Sequence, residues 1–263
     1  MVRIFIFGMG YTAGRLADRL RTEGWQVDGT GSGGNVDFAD GAAVRAALGK
    51  ATHILSSVPP DRKSGHDDVL THYKDDIAAA PASWIGYLSS TGVYGDAHGA
   101  WVDESTPTGG GRRTARTAAD ADWQALDKRV CIFRLPGIYG PGRSVLDRVR
   151  DGRAKCIDLP GQVFSRVHVD DIVSGVIASF DGLPGIYNLS DDLPAPQNDV
   201  IVKACQLLGV DPPPLQSLEE AELSPMARGF YAENRRVANG KAKRVLGWKL
   251  QYPDYHAGLK SLI

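Results

Sequence analysis

Residues 2–14 read VRIFIFGMGYTAG, an apolar run that stops at a glycine and passes at once into a helix-forming segment. A strand apolar at every position must be covered on both faces, which places it inside a parallel sheet flanked by helices. The run is followed by Gly8-x-Gly10-x-x-Ala13. Gly8 suits a tight turn, Gly10 lets backbone approach a bound group, and a small residue at 13 lets helix pack closely on strand. Few folds accommodate that order at the very start of a chain.

The rhythm continues. Helical periodicity is expected over 11–24, 42–49, 66–80 and 113–127, and strands over 25–30, 52–58, 83–90 and 129–135. Single helices between apolar strands predict an α/β fold, a Rossmann-type doubly wound parallel sheet. Beyond PGIYGPGR (136–143) the spacing loosens, with helices near 143–151, 170–180 and 198–208 and a proline-rich stretch at 210–216. Residues 1–165 therefore read as a dinucleotide-binding core. Residues 166–263 read as a mixed segment that completes the core and forms a small C-terminal substrate lobe.

Composition narrows the function classes. The 263 residues carry a formal net charge of −1 with no long basic run, which argues against a nucleic-acid partner. No stretch reaches the roughly 18 apolar residues of a membrane span. Glycines interrupt the apolar start, so it reads as a strand and turn and not as a signal peptide. Cys131, Cys156 and Cys205 are widely spaced and form no C-x-x-C pair, so reduced, buried thiols in a cytoplasmic protein are expected, with no metal. His66 and His72 miss the i,i+4 spacing of a helical metal pair.

The glycine turn points to the pyrophosphate of a nicotinamide dinucleotide, held by Gly8, Gly10, Tyr11, Thr12 and Ala13 at a helix N-terminus. The second strand ends VDGTGSGG, with neither acid nor arginine at Thr30, Gly31 or Ser32. Asp28 falls too early to meet the ribose. Nothing repels a 2′-phosphate, and Thr30 and Ser32 can receive it, so of NAD(P) the leaning is to NADP.

Five segments, FGMGYTA (7–13), VDFAD (36–40), YLSSTGVYGD (87–96), FRLPGIYGPGR (133–143) and RVHVDDI (166–172), together resemble the short-chain dehydrogenase/reductase superfamily, in its NAD-dependent epimerase/dehydratase-like branch. The resemblance implies that Asp37 and Phe38 meet the adenine ring. Ser56, Ser57 and Val58 would line the nicotinamide-side ribose, and Pro136, Gly137 and Ile138 would flank the nicotinamide. Ser90 matches the catalytic serine. His168, Asp170 and Asp171 read as mainly structural, Asp170 as a helix cap. Thr91 and Gly92 replace the acids of the dehydratases, which argues against sugar-nucleotide dehydration. The resemblance also suggests a homodimer through the helices on either side of strand 83–90.

One departure stands out. Relatives carry Tyr-x-x-x-Lys, with an acid four residues further on. Counting back from Asp120 puts Arg116 at the lysine and Arg112 at the tyrosine. A guanidinium keeps its proton to above about pH 12, so Arg112 cannot serve as acid or base near neutrality. Two arginines at i,i+4 share a helix face and can clasp an anion, Arg116 on the cofactor ribose and Arg112 on a substrate carboxylate or phosphate. The alternative is a solvated face with Arg116 paired to Asp120. Tyr94, Tyr139 and Tyr231 are substitute proton donors, and Arg228, Asn234 and Arg236 are further substrate contacts.

The expected function is an atypical NAD(P)-dependent oxidoreductase or epimerase acting on a small anionic or sugar-like substrate. The alternatives are a catalytically silent NAD(P)-binding sensor and a redox-neutral lyase or isomerase.

Overall fold

A computed structural model describes residues 2–61, 63–111 and 114–263. The chain opens with β1 (Arg3–Phe7), α1 (Tyr11–Thr22), β2 (Gln26–Gly29), α2 (Gly41–Leu48) and β3 (His53–Ser56). Next come α3 (Asp68–Ala79), β4 (Trp84–Ser90), β5 (Trp101–Val102), α4 (Thr114–Leu126), β6 (Val130–Leu135) and β7 (Gly137–Tyr139). The remainder holds α5 (Val145–Arg150), β8 (Cys156–Ile157), β9 (Arg166–His168), α6 (Val169–Ala178), β10 (Gly185–Asn188) and α7 (Gln197–Leu208). It ends with β11 (Leu215–Gln216), α8 (Pro225–Phe230), β12 (Arg236–Val237), α9 (Gly240–Leu246) and α10 (Tyr255–Lys260).

Six parallel strands form the central sheet in the order β10-β6-β4-β3-β1-β2. The chain leaves β1 towards β2 and then crosses back to β3, so the winding reverses at β1/β3. In open parallel sheets ligands bind at the carboxyl ends of strands beside such a reversal. Successive residues of β1 point to opposite faces: Ile4 and Ile6 join α1, α6 and Trp248 on one side, while Phe5 and Phe7 join α2, α3 and α4 on the other. Full burial of side chains of this size contributes about 1.5–3 kcal/mol each. Two covered faces account for the absence of polar alternation in β1.

The third packed unit lies outside the sheet. Leu146 of α5, Val200 and Ala204 of α7, and Tyr255 and Leu259 of α10 form a separate cluster over the carboxyl ends of the strands. The pair β11-β8 adjoins it through β8 and α7, whereas Val102 and Val237 of the pair β12-β5 pack with Val93 and Tyr94 in another cluster. Among the described residues no helix is long and apolar enough to cross a membrane. Cys131, Cys156 and Cys205 are buried and free.

Candidate functional site

A cleft of about 1400 Å³ runs from the glycine turn to the C-terminal cluster. Its first wall is the β1–α1 turn, with Gly8, Gly10, Tyr11 and Thr12. Gly8 has φ +81°, and a Cβ there would lie 2.8 Å from Val58 Cγ2. A Cβ on Gly10 would meet nothing within 4 Å, so the space over the turn is open to a ligand. Helix α1 begins at Gly10 with no side-chain cap and no acid in its first turn. Its free N–H groups suit an anion, and this donor set fits a dinucleotide pyrophosphate. Tyr11 reaches across the cleft to donate to the Pro141 carbonyl at 3.1 Å, and the Arg143 guanidinium sits 5.6 Å from its ring centre.

The residues after β2 and β3 divide between structure and cleft. Thr30 is 2% exposed and its hydroxyl accepts from Gly8 N–H at 3.1 Å. It is thereby committed to the turn, against the expectation that it receives a phosphate; Ser32 does line the cleft. Asp28 is held by Asn35 at 2.9 Å and lies 3.8 Å from Arg3. Ser57 donates to the Gly8 carbonyl at 2.5 Å and, with Val58, lines the cleft, whereas Ser56 is fully buried beneath it. Ala13 is buried in the core. Asp37 and Phe38 lie off the cleft. Asp37 accepts from Ala39 N–H at 3.0 Å, and Phe38 packs edge-on against Phe7 and Tyr73.

Pro136, Gly137 and Ile138 line the opposite wall, and Ser90 lines the floor. Ser90 Oγ accepts from Gly92 N–H at 3.1 Å, capping the turn Thr91–Tyr94 and leaving its own proton free to donate. Arg116, from the first turn of α4, is half-buried at the cleft and donates to the Tyr87 hydroxyl at 3.2 Å. The Tyr87 ring stacks on Trp123 at 5.1 Å, and Trp123 in turn donates to Asp67 at 2.8 Å. Burial pushes the Tyr87 phenol up, with the Arg116 charge opposing. Arg112 lies outside the described residues.

The alternative pairing of Arg116 with Asp120 does not form. Asp120 instead takes both Nε and Nη2 of Arg134, at 3.2 and 2.8 Å, and the Ser89 hydroxyl at 2.5 Å. The expectation for Tyr94 also needs correcting, because its hydroxyl is buried off the cleft, donating to Asn188 Oδ1 at 2.8 Å and accepting from Arg134 at 3.1 Å. Tyr139 lines the cleft with its ring, yet its hydroxyl reaches away to the Asp254 carbonyl at 3.4 Å. Burial raises both phenols. Tyr231 lines the cleft edge-on to Phe164 at 5.5 Å.

Of the tail residues, Arg228 donates to the Leu218 carbonyl at 3.4 Å and Arg236 to the Gly99 carbonyl, both off the cleft. Asn234 borders a separate small notch, bonded to Gly161 and Val163. The other cations that line the cleft are Arg143, beside Tyr11, and Arg148, Arg153, Lys155, Arg166 and Arg235. Their scattered sequence positions hide the grouping, although Arg166 stands inside the RVHVDDI segment. That segment is capped by His168, not Asp170: His168 Nδ1 accepts from Asp170 N–H at 3.2 Å, and Asp170 is 2.7 Å from Arg15. Asp171 accepts from the N–H groups of Gln251 and Tyr252 at 2.6 and 3.0 Å.

No protein-family profile matches the chain. Protein YeeZ of Escherichia coli is 26% identical over 97% of each chain. A Streptomyces 3-diazoavenalumate denitrifying reductase is 30% identical over 60% of this chain and 55% of its own. Among solved structures, a functionally unknown conserved protein from Silicibacter pomeroyi is 42% identical, with TM-score 0.88 over 100% of this chain and 98% of its own. The human epimerase family protein SDR39U1, solved with NADPH, shares the fold at TM-score 0.80 and 16% identity, covering 99% of both chains. Bordetella bronchiseptica WbmG, solved with NAD, does so at 0.78 and 17%, covering 99% of this chain and 92% of its own. The chain thus belongs to one family with the Silicibacter pomeroyi protein, on the fold of the NAD-dependent epimerase/dehydratase-like short-chain dehydrogenases/reductases.

Proposed function

We propose that this protein is an atypical NAD(P)-dependent oxidoreductase or epimerase acting on a small anionic substrate. The observation that carries the reading is the single cleft. One end is a glycine turn and an uncapped helix, and the other bears Arg148, Arg153, Lys155 and Arg166. The acids on the same lining are Asp147, Glu222 and Glu233. The likeness to a reductase, to an epimerase family protein solved with NADPH and to an enzyme solved with NAD supports the same reading.

A bound nicotinamide dinucleotide would supply hydride transfer. The chain's own residues would do the rest. Gly8, Gly10 and the α1 N–H groups would hold the pyrophosphate, with Arg143 beside Tyr11 on the same wall. Arg116, braced by Tyr87, donates to the cofactor ribose. Ser90 donates to the substrate oxygen and stabilises negative charge there. With Tyr94 and Tyr139 turned away, proton exchange falls to Tyr231 or to water from the open end. Ser32 and the neutral 31–35 loop favour NADP. The reading also has the protein working in the cytoplasm as a dimer through α3 and α4.

Calorimetry with NADPH and NADH, followed by a fluorescence screen for cofactor oxidation or reduction across carboxylate and sugar substrates, tests this. Micromolar binding with turnover is expected. Binding without turnover across the panel would favour a sensor, and absence of binding would end the cofactor reading.

A further inference from the structure

Arg166 is the least exposed of the cations on the cleft, at 7%. Its Nη1 donates to the carbonyls of Phe164 and Ala195, at 2.8 and 3.0 Å, and its Nη2 to Gln197 Oε1 at 2.9 Å. These three bonds tie β9 to the start of α7 and lock the guanidinium in place. They use three of its five N–H donors. Nε–H has no protein partner among the described residues, and no carboxylate makes an ion pair with this arginine there. A buried guanidinium without a counter-ion is strongly destabilising unless something supplies one.

Asp191, whose N–H donates to the Arg166 carbonyl at 2.7 Å, makes no ion pair with the guanidinium among the described residues. Asp191 is 1% exposed, its Oδ1 accepts from Leu193 N–H at 3.3 Å, and its Oδ2 has no partner. Burial pushes this carboxyl up to about 8, with the Arg166 charge opposing. The groups that act on the pair from neighbouring elements are Tyr139 of β7, Asp199 of α7, Asp254 and Tyr255 at α10, and Asp192 of its own loop. The walls beside Arg166 are aromatic. Phe164 lies 6.0 Å from the guanidinium carbon, Tyr231 stands edge-on to Phe164, and Tyr255 lines the cleft nearby.

We infer that Arg166 is the residue that recognises the substrate, through a carboxylate on a flat apolar body, and that Asp191 is an internal competitor for the same guanidinium. A planar carboxylate matches the free edge of one arginine, whereas a phosphate dianion would find more charge at exposed Arg148 and Lys155. This deepens the proposed function and rests on it for the word substrate, but not for the binding site itself.

The test is calorimetry on the full chain with benzoate, neutral benzamide and inorganic phosphate, at pH 6.5 and pH 9, alongside NADPH binding. Benzoate is expected to bind at least tenfold more tightly than benzamide or phosphate. Its affinity should drop about tenfold by pH 9 in the wild type and hold constant in Asp191→Asn. Arg166→Gln should lose benzoate while retaining NADPH. Should Arg166→Gln fail to fold, the pH comparison between wild type and Asp191→Asn decides alone. Equal binding of benzoate and benzamide, preference for phosphate, or a pH dependence unaltered in Asp191→Asn overturns the assignment. Loss of NADPH binding with the benzoate pattern intact refutes the cofactor reading and leaves this one standing.

Discussion

Asp120 and Arg134 form a buried ion pair, Oδ1 to Nη2 at 2.8 Å, with side chains 2% and 3% exposed. The pair joins α4 to β6 beneath the floor of the cleft. Because Asp120 is fully engaged by Arg134, Ser89 and Gln124, Arg116 one turn earlier is left to the cleft.

Asp120→Ala strands a buried guanidinium, so it should cost about 3–5 kcal/mol of stability. Urea denaturation reads this directly. The double change Asp120→Ala with Arg134→Met should recover much of the loss, since neither partner then remains alone.

Gly8→Ala combines a left-handed backbone with a close approach to Val58. It should destabilise by more than about 1 kcal/mol and weaken dinucleotide binding at least tenfold by fluorescence titration. Gly14→Ala, in the first turns of α1 with open space around it, should instead stabilise by about 0.5–1 kcal/mol.

Arg116→Ala removes a charged donor from the cofactor side and should weaken NADPH binding about tenfold, or about 1.4 kcal/mol. Tyr94→Phe is the contrast. It leaves Arg134 and Asn188 short of a partner, costing about 1–3 kcal/mol of stability, while NADPH affinity stays within about twofold. Unfolding curves and titrations on the two variants should diverge in this way.

The pH profile of stability has opposing limbs. Burial pulls the folded-state values of His53 and His168 down to about 4. Their contribution is full above the unfolded value of about 6.5 and is lost as pH falls towards 4. Asp191 runs the other way: raised to about 8, it binds its proton more tightly when folded, so its contribution declines as pH rises from about 4 to 8. Each group has a limiting slope of about 1.4 kcal/mol per pH unit. Asp191→Asn should flatten the decline between about pH 6.5 and 8 in denaturation series and steepen the rise between about pH 4 and 6.5, where its slope opposes that of the histidines.

Ser32→Asp places a carboxylate in the loop proposed to receive a 2′-phosphate. NADPH affinity should fall at least tenfold relative to NADH. An unchanged ratio would show that the phosphate, if accepted, sits elsewhere.

Local order in this protein was readable along the chain. Apolar strands, helical spacing and Gly8-x-Gly10 are short-range patterns, and the expected strand at 83–90 and helix at 198–208 differ from β4 and α7 by one residue at one end. Partner choice was not readable. Thr30 turned inward to Gly8, Tyr94 to Asn188 and Tyr139 to Asp254 because each hydroxyl, once buried, must find a hydrogen-bond partner, and the nearest came from segments 22, 94 and 115 residues away. The same holds for charge. Asp120 stands four residues from Arg116 on one helix, yet it paired with Arg134 on the adjacent strand because burial strengthens that interaction and water weakens the other. The sequence alone determined the sheet, its glycine turn and the loss of the tyrosine. Only the tertiary structure decided which cations face the cleft, and that Arg166 is buried with no ion-pair partner among the described residues.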